Sequence, residues 1–272
     1  MVKEVFYRSF IRGGHMIIKH DVVAICGAAG SGKDTFVERW NESPFFPVEN
    51  VKFARLINEI SHSLLGDQIK YEDRDVPLKI DVELLGTILA DYTPQAAEML
   101  RGILSGYIHM SWRGFAQWLG TAVIRSKDPD FFVRDVEAQL SRIKREGGVA
   151  FLTDARFKNE LGLASLGVLL KRDTDTRLEF DPYTHVSEQL GEYIAVWSNR
   201  YLACRDNGLE EYAAYCLDKL HHSELYDFEV HGVYQTLLDA DGVLQYTPIE
   251  EAYAMFEHSR EEIKEDWFEG DN

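Results

Sequence analysis

The segment 27–35 combines glycines, a lysine and small polar residues in a spacing that suits phosphate binding. It follows the apolar run 22–26 and precedes a helical pattern that starts at Phe36, which is the strand–loop–helix context of a phosphate-binding loop. Glycines allow the backbone to bend around an anion, and the helix N-terminus adds partial positive charge. Lys33 would reach the β- and γ-phosphates of a nucleoside triphosphate. The predicted ligand-binding residues are Gly27, Gly30, Ser31, Gly32, Lys33, Asp34 and Thr35.

The loop departs from the usual pattern directly after its lysine. A Ser or Thr normally stands there as a magnesium ligand, whereas this chain has Asp34, and the hydroxyl follows one position later at Thr35. A carboxylate can hold Mg²⁺ directly or through water, and an acid in the first turn of a helix also suits the helix dipole. Asp34 is therefore a predicted metal ligand. The alternative is a glycine-rich turn, capped by Asp34 and Thr35, that binds no ligand.

A second candidate group follows the apolar run 149–153. Asp154 would lie at the carboxyl end of a buried strand, where a phosphate-binding enzyme places the acid that organises Mg²⁺. Arg156 would face the same crevice and could hold a phosphate through two hydrogen bonds. The alternative role for Asp154 is the N-cap of the next helix. Glu160 either contacts a sugar hydroxyl or belongs to the first turn of that helix.

A third group of polar residues recurs at helical spacing on a predicted helix over about 111–124. Residues four apart share one face of a helix. Arginine binds phosphate and glutamine can read a base edge, so this face is a predicted substrate contact. The alternative is a solvated face whose tryptophans pack into the core. The group consists of Arg113, Gln117, Thr121 and Arg125, and Arg55 at the start of an earlier helix is a further candidate.

Composition and charge exclude several classes of function. The chain has 272 residues and a net charge of -17, which disfavours a protein that coats nucleic acid, because phosphate backbones attract basic surfaces. An acidic substrate would have to be held by individually placed arginines. The 3 cysteines lack metal-type spacing and fit a reducing cytoplasm better than a disulfide framework. No apolar run approaches the roughly 18 residues of a membrane span. Closed twofold assemblies are common, which favours a homodimer.

Alternating strand and helix patterns predict an α/β fold with a parallel sheet flanked by helices. Ligands of such sheets gather at the carboxyl ends of the strands, where both the glycine-rich loop and Asp154 would lie. Residues 66–110 are expected to be irregular and partly helical, and helical segments are expected after the last strand. The predicted strands are 21–26, 51–54, 149–153, 168–170 and 227–230; the predicted helices are 33–41, 55–65, 111–124, 131–146 and two within 187–220 that are separated at Asn207-Gly208.

These motifs, in this order, resemble the bacteriophage deoxynucleoside monophosphate kinase family. The likeness covers about 21–190 with gaps, and its most specific parts are the loop ending 31–35, where Asp follows Lys, and the segment 154–160. The chain departs from the family where it has Arg55-Leu56, since Pro-Leu-Lys is frequent there. Further similar elements are Phe53-Ala54 at a helix start, Gln117-x-x-Gly120-Thr121-x-x-x-Arg125, Arg172 after the next strand, and His185-Val186-Ser187-Glu188. The His-x-Ser-Glu pattern of the last element occurs a second time at 221–224.

The resemblance implies transfer of the γ-phosphoryl group of ATP to a deoxynucleoside monophosphate, with Mg²⁺ as the second cofactor. It also implies a three-layer P-loop kinase fold with inserted lid and substrate lobes, acting in the cytoplasm, which for a phage enzyme is the host cytoplasm. The expected domains are an N-terminal extension 1–20, a kinase domain 21–248 with insertions at about 66–110 and 190–220, and an acidic C-terminal helix or tail 249–272.

Residue roles follow from the motif positions. The catalytic set is Lys33, Arg125, Asp154, Arg156 and Arg172; the metal ligands are Asp34 and Asp154; the substrate contacts are Arg55, Arg113, Gln117, Thr121, Arg125, Arg156 and Glu160. Arg172 would close over the transferring group as a lid residue. No general base is required, because an acceptor phosphate is already anionic at neutral pH.

Two other readings stay open at this stage. Another small-molecule P-loop kinase, for a nucleoside or a coenzyme precursor, would need a carboxylate base, for which Glu59 or Asp67 are weak candidates. A nucleotide-driven switch or motor is the alternative of another class. The chain has no guanine-reading Asn-Lys-x-Asp motif, and Asp154 is followed by Ala155 where a motor usually has Glu.

Overall fold

The computed structural model describes residues 21–41, 47–66 and 76–249. The described residues divide into two compact units: unit 1 holds those up to Val51 and from Arg142 onward, and unit 2 holds those between Lys52 and Ser141. The predicted N-terminal extension 1–20 lies outside the described residues, and so does the C-terminal segment from residue 250 onward. Within the part of the chain that the structure describes, no helix is both long and apolar enough to cross a membrane.

Unit 1 is built on a six-stranded, mostly parallel sheet among the described residues. Its strands, in chain order, are β1 (Val22–Gly27), β2 (Val48–Val51), β5 (Val149–Leu152), β6 (Leu166–Arg172), β7 (Glu229–Leu238) and β8 (Leu244–Pro248). The spatial order is β2-β5-β1-β6-β7-β8, and only the β7–β8 pair is antiparallel. β1 therefore lies between β5 and β6, and the chain passes from one side of β1 to the other. Ligands of open α/β sheets bind beside such a point, at the carboxyl ends of the strands.

The sheet of unit 1 is flanked by helices, as predicted. Its helices are α1 (Lys33–Asn41), α7 (Lys158–Leu161), α8 (Gln189–Asp206) and α9 (Glu210–His221), with a short 3₁₀ turn at Val186–Glu188. The inner strands read as continuous apolar runs because both of their faces are covered. β5 is buried along its whole length, and β1 is buried from Val23 onward. The core includes Val23, Ile25, Phe36, Val37, Phe151, Val168, Leu170 and Tyr246.

The prediction that a last strand ends at 230 and is followed by helical segments is wrong up to residue 249, and its later part lies outside the described residues. β7 runs on to Leu238 and turns into β8 through Asp239-Ala240-Asp241-Gly242. Asp239 Oδ1 accepts hydrogen bonds from the backbone N–H groups of Asp241 (3.0 Å) and Val243 (2.8 Å), and Gly242 has φ 76°. An acidic residue and a glycine between apolar runs are a hairpin signal. The sheet is consequently mixed, with an antiparallel edge strand, rather than purely parallel.

Unit 2 contains more regular structure than the sequence indicated. The segment 66–110 is predicted to be irregular and partly helical; its described part from residue 76 contains two helices and also most of an antiparallel two-stranded sheet. The predicted strand at 51–54 ends at Val51, and the following helix has the predicted bounds. The elements are α2 (Arg55–Leu65), β3 (Pro77–Asp81), α3 (Val82–Tyr92), α4 (Pro94–Ile103), β4 (Tyr107–Ser111), α5 (Trp112–Gln117), a π-helical segment (Trp118–Arg125) and α6 (Phe131–Arg145), whose last turn belongs to unit 1.

The predicted α-helix over 111–124 is α-helical only in its first half. Ser111 caps α5 by accepting a hydrogen bond from the Gly114 N–H at 3.1 Å, and the chain changes to a π-helix from Trp118 to Arg125. Runs of π-helix are rare and frequently occur at functional sites. A Cβ atom at Gly120 would lie 2.8 Å from Ile57 Cδ1, so the absent side chain allows α2 to approach closely.

The stretch 187–220 forms the two predicted helices, separated around Asn207-Gly208. Residues 190–220, which the resemblance treats as an insertion, lie in unit 1, and α8 packs against β1 and β6. The fully buried Ile194 and Val196 lie on this helix. α8 is therefore one of the helices that cover the sheet.

Candidate functional site

The glycine-rich loop connects β1 to α1 at the carboxyl end of the central strand. Gly30 has φ 75° and Gly32 has φ 82°, conformations that favour glycine over any residue with a side chain. A Cβ atom at Gly27 would lie 2.3 Å from the backbone oxygen of Leu170 on the neighbouring strand. The three glycines are thus required by backbone conformation or by close approach, which is what the sequence predicted for them.

Lys33, the first residue of α1, folds back onto the loop. Its Nζ donates to the backbone oxygens of Gly27 (2.9 Å) and Ala28 (2.8 Å). Burial, and next the nearby guanidinium of Arg156, lower the pKa of Lys33 to about 8. A partly buried ammonium beside a second cation is stabilised by any anion that binds there.

Ser31 lies inside the loop and is fully buried. Its hydroxyl oxygen has no hydrogen-bond partner among the described residues. Buried polar groups are normally paired, and an orphaned one calls for an explanation such as an absent ligand or water. The loop therefore offers an unsatisfied hydroxyl in addition to its lysine.

Asp34 is held by two residues from neighbouring strands that the sequence analysis did not identify. Asn50, on β2, donates from Nδ2 to Asp34 Oδ1 at 3.0 Å. Thr153, directly after β5, has Oγ1 3.0 Å from Asp34 Oδ1 and 2.9 Å from Asn50 Oδ1, so its single proton serves one of the two. This network fixes the orientation of the carboxylate at the carboxyl edge of the sheet.

Asp154 and Arg156 follow β5, at the edge where the loop also lies. Arg156 Nη1 donates to Ser187 O at 2.9 Å and forms an ion pair with Glu188 Oε2 at 2.9 Å. The first His-x-Ser-Glu copy is therefore the one beside Arg156. In the second copy, His222 instead pairs with Asp218 at 2.9 Å at the end of α9.

The alternative role of Asp154 as a helix cap is wrong, and the substrate contact predicted for Glu160 does not fit its burial. α7 begins at Lys158 with Phe157 as its N-cap residue. Glu160 is fully buried, and its Oε2 accepts hydrogen bonds from the N–H groups of Arg156 (2.8 Å) and Phe157 (3.3 Å). Glu160 thus shapes the backbone that presents Arg156.

Arg172, at the end of β6, lies against the loop, and its role as a lid residue stays a prediction. The residue is exposed, and a Cβ atom at Gly30 would lie 3.2 Å from Arg172 Nη1. The guanidinium is therefore adjacent to the middle of the loop, and its position beside Gly30 suits contact with a phosphate held there.

Two further contacts to the loop come from elements remote in sequence. Tyr246, on β8, donates from its hydroxyl to Gly32 O at 2.7 Å and packs edge-on against Phe36. A Cβ atom at Gly191, near the start of α8, would lie 2.6 Å from Ala28 Cα. No local sequence signal marks either contact, because both depend on the packing of the whole unit.

The remaining predicted substrate residues lie in unit 2. Arg55 donates to Glu59 Oε1 at 2.6 Å and also to Asp135. Arg125, at the end of the π-helical segment, donates to Gly120 O at 3.1 Å and stacks over Phe132, with 4.3 Å to the ring centroid. Arg113 and Gln117 on α5, and Thr121 and Arg125 on the π-helical segment, are all half-buried. The substrate roles of these residues stay predictions.

The described part of the chain holds no group of three or more His, Cys, Asp or Glu side chains placed to bind a metal ion. Asp34 and Asp154 both lie at the loop edge of the sheet, after β1 and β5 respectively. The metal-ligand roles of both residues stay predictions.

No protein-family model matches the chain, and no curated protein matches it significantly. The resemblance to the phage monophosphate kinases therefore stays a prediction. What supports a function is the arrangement of the loop, the two carboxylates and the cations in unit 1.

Proposed function

We propose that the protein is a P-loop phosphotransferase that moves the γ-phosphoryl group of ATP to a deoxynucleoside monophosphate. The observation that carries this proposal is the position of Lys33, which lies in a glycine-rich loop at the carboxyl edge of the sheet with Arg156 close enough to lower its pKa. Two neighbouring cations at such an edge are suited to an anionic ligand with more than one phosphate. The choice of acceptor depends on the motif resemblance.

The residues present fit a nucleoside triphosphate. The loop has two glycines with positive φ, a buried hydroxyl without a partner at Ser31, and the Lys33 ammonium. The helix that follows the loop begins at Lys33, so its N-terminus adds partial positive charge. Bound ATP would supply the phosphoryl group, and bound Mg²⁺ would offset the negative charge of its phosphates.

Each side chain has a definite task in this proposal. Lys33 would leave the oxygens of Gly27 and Ala28 and donate to the phosphates. Asp34, oriented by Asn50 and Thr153, would hold the metal together with Asp154, and water and phosphate oxygens would complete the coordination. These acids would hold the metal in position and would not serve as general bases.

Arg156 would grip the acceptor phosphate, and Arg172 would neutralise charge that develops during transfer. Phosphoryl transfer needs little covalent chemistry from the protein, so positioning and charge neutralisation supply most of the rate enhancement. The acceptor phosphate is anionic at neutral pH, and a general base is therefore unnecessary.

A coupled ADP-release assay tests the proposal. The purified chain is given ATP, Mg²⁺ and each of the four standard deoxynucleoside monophosphates in turn, and the nucleotide products are separated. Deoxynucleosides, and a reaction without acceptor, are run alongside. The expected result is ADP release that depends on a monophosphate and yields the matching diphosphate.

Other outcomes separate the alternatives. Release with a deoxynucleoside would assign a nucleoside kinase instead. Steady release without any acceptor would favour a switch or motor. Absence of release with all four monophosphates, although ATP binds, would remove the standard deoxynucleotides as substrates.

A further inference from the structure

A groove beside the α8–α9 hairpin is lined by two cysteines. It lies in unit 1 and has a volume of about 530 Å³. None of its lining residues belongs to the glycine-rich loop. Three aromatic side chains line it, and two of them, Trp197 and Tyr215, meet edge to face with ring centroids 5.8 Å apart. The lining residues are Leu178, Trp197, Arg200, Ala203, Cys204, Tyr212, Tyr215 and Cys216.

Cys204 and Cys216 are neighbours across the hairpin. Cys204 is on α8 and Cys216 is on the neighbouring helix α9, and the Cys204 thiol lies close enough to contribute to the raised pKa of Cys216. Neither cysteine is in a disulfide, and both line the same groove. The third cysteine, Cys26, lies in β1 and is buried in the sheet.

We propose that Cys204 and Cys216 form a redox-active dithiol site that small disulfide compounds convert to an intrachain disulfide. The proposal is independent of the phosphotransferase function, since it depends only on the adjacency of the two thiols and on their access to the groove.

The two cysteines have different parts in this reaction because their exposure differs. Cys204 is half-buried, whereas Cys216 is 5% exposed, and burial raises the pKa of the Cys216 thiol. The Cys204 thiolate attacks one sulfur of the small disulfide, and the other sulfur leaves as a thiolate that takes up a proton. Cys216 then loses its proton and attacks Cys204 Sγ, and the second small thiol leaves. The protein loses two hydrogen atoms, and the reagent is reduced to two thiols.

Arg200 assists the second step. Arg200 lines the groove, and its guanidinium carbon lies 4.9 Å from the centroid of the Trp197 ring. Its positive charge lowers the pKa of Cys216 and so offsets part of the increase that burial causes. A nearby cation favours the thiolate, which is the attacking form.

Peptide mapping tests the proposal on the full native chain. The protein is treated with 2-hydroxyethyl disulfide, excess reagent is removed, remaining thiols are blocked, and the digest is analysed by mass spectrometry without reduction. Trypsin cleaves after Arg200, Arg205 and Lys219, so the expected product is peptide 201–205 joined to peptide 206–219. Cys26 is expected to stay unmodified, because it is buried.

Single variants assign the order of attack. Cys216→Ala is expected to accumulate a mixed disulfide at Cys204, and Cys204→Ser is expected to leave Cys216 largely unmodified. Cys26→Ala serves as the matched control and is expected to form the 204–216 bond as the wild type does. A wild-type chain that stops at the mixed disulfide, or that links two chains through Cys204, would overturn the proposal.

Discussion

Arg156 and Glu188 form an ion pair that joins the segment after β5 to the turn before α8, with Nη1 and Oε2 2.9 Å apart. The same nitrogen also donates to Ser187 O at 2.9 Å. Nη1 commits its two N–H groups to these acceptors, and a phosphate that approaches the remaining donors of the guanidinium meets the negative charge of Glu188. Glu188 is therefore a competitor of the ligand that we propose for Arg156.

Replacing Glu188 with Gln should strengthen phosphate binding. Glu188→Gln keeps the shape of the side chain and removes its charge, so the KM for the monophosphate is expected to fall about fivefold, as for the loss of a partly exposed ion pair of about 1 kcal/mol.

Arg156→Ala should instead raise the KM for the monophosphate or lower kcat. Steady-state kinetics with each substrate varied measures both. If Arg156→Ala changed only the KM for ATP, the two substrate sites would be reversed.

Lys33→Ala should reduce turnover by about 10²–10³, the usual loss when one donor to a developing charge is removed. The side chain makes its hydrogen bonds only to loop oxygens, Gly27 O and Ala28 O, so the fold should persist. Circular dichroism and thermal unfolding serve as the control for folding. Unchanged activity in a folded variant would refute the assignment of the triphosphate site.

Ligand binding near pH 8 should be accompanied by proton uptake at Lys33. The pKa of this group is lowered to about 8 in the unliganded protein, and nearby phosphates favour its charged form. Uptake of up to about half a proton is expected at pH 8. Titration calorimetry with ATP in buffers of different ionisation enthalpy measures it, and Lys33→Met should abolish it. Equal uptake in that variant would assign the proton to another group.

The same group has a consequence for the unliganded protein. In the folded chain the pKa of Lys33 is about 8, below the ordinary lysine value of 10.5, so the unfolded chain binds more protons between these two pH values. The contribution of Lys33 to stability therefore rises as pH increases from about 8 to 10.5, and it is lost as pH falls through 8.

Gly32→Ala should be more destabilising than Gly242→Ala. Both glycines have similar φ, 82° and 76°, so the strain of about 1 kcal/mol in the left-handed region is common to the two. A Cβ at Gly32 would additionally lie 2.2 Å from Leu244 Cδ2, whereas nothing lies within 4 Å at Gly242. Urea unfolding is expected to give a loss of about 2–4 kcal/mol for Gly32→Ala. Equal losses of unfolding free energy in the two variants would show that the Leu244 side chain can move away from the added methyl group without destabilising the fold.

Thr153→Val should weaken the response to Mg²⁺. The substitution keeps the branched shape and removes the hydroxyl that lies 3.0 Å from Asp34 Oδ1. The loss of one hydrogen bond, about 1 kcal/mol, is expected to raise the Mg²⁺ concentration at half-maximal activity about fivefold. Thr153→Ser keeps the hydroxyl and serves as the control. If Thr153→Val had the wild-type Mg²⁺ dependence, the result would contradict the proposed role of Asp34 as a metal ligand.

Local patterns predicted the parts of the fold that depend on neighbouring residues. The apolar run of β1, the glycines after it and the bounds of α2 each carry their own signal, and the structure has them where they were predicted. The π-helical segment could not be predicted in this way, because polar residues four apart are compatible with an α-helix. β8 was missed although Asp241-Gly242 is a turn signal, because the segment after it was taken as helical.

The candidate site shows the same division. Gly27, Lys33 and Arg156 were identified from motifs, whereas Glu188 was noted only as part of a duplicated motif whose two copies are alike in sequence. Asn50 and Thr153 were not identified at all. Their contact with Asp34 depends on which parallel strands are adjacent, and that order is a property of the assembled sheet.

The close approach of Gly191 to Ala28 limits what can change on either side. A methyl group at position 191 would lie 2.6 Å from the Ala28 Cα atom and 2.8 Å from its nitrogen, so even the smallest side chain would displace the loop backbone. The start of α8 therefore packs directly against the backbone of the loop at Ala28 and restricts its conformation. A transplant of segment 27–35 into another protein would carry the motif but lose the surface that shapes it.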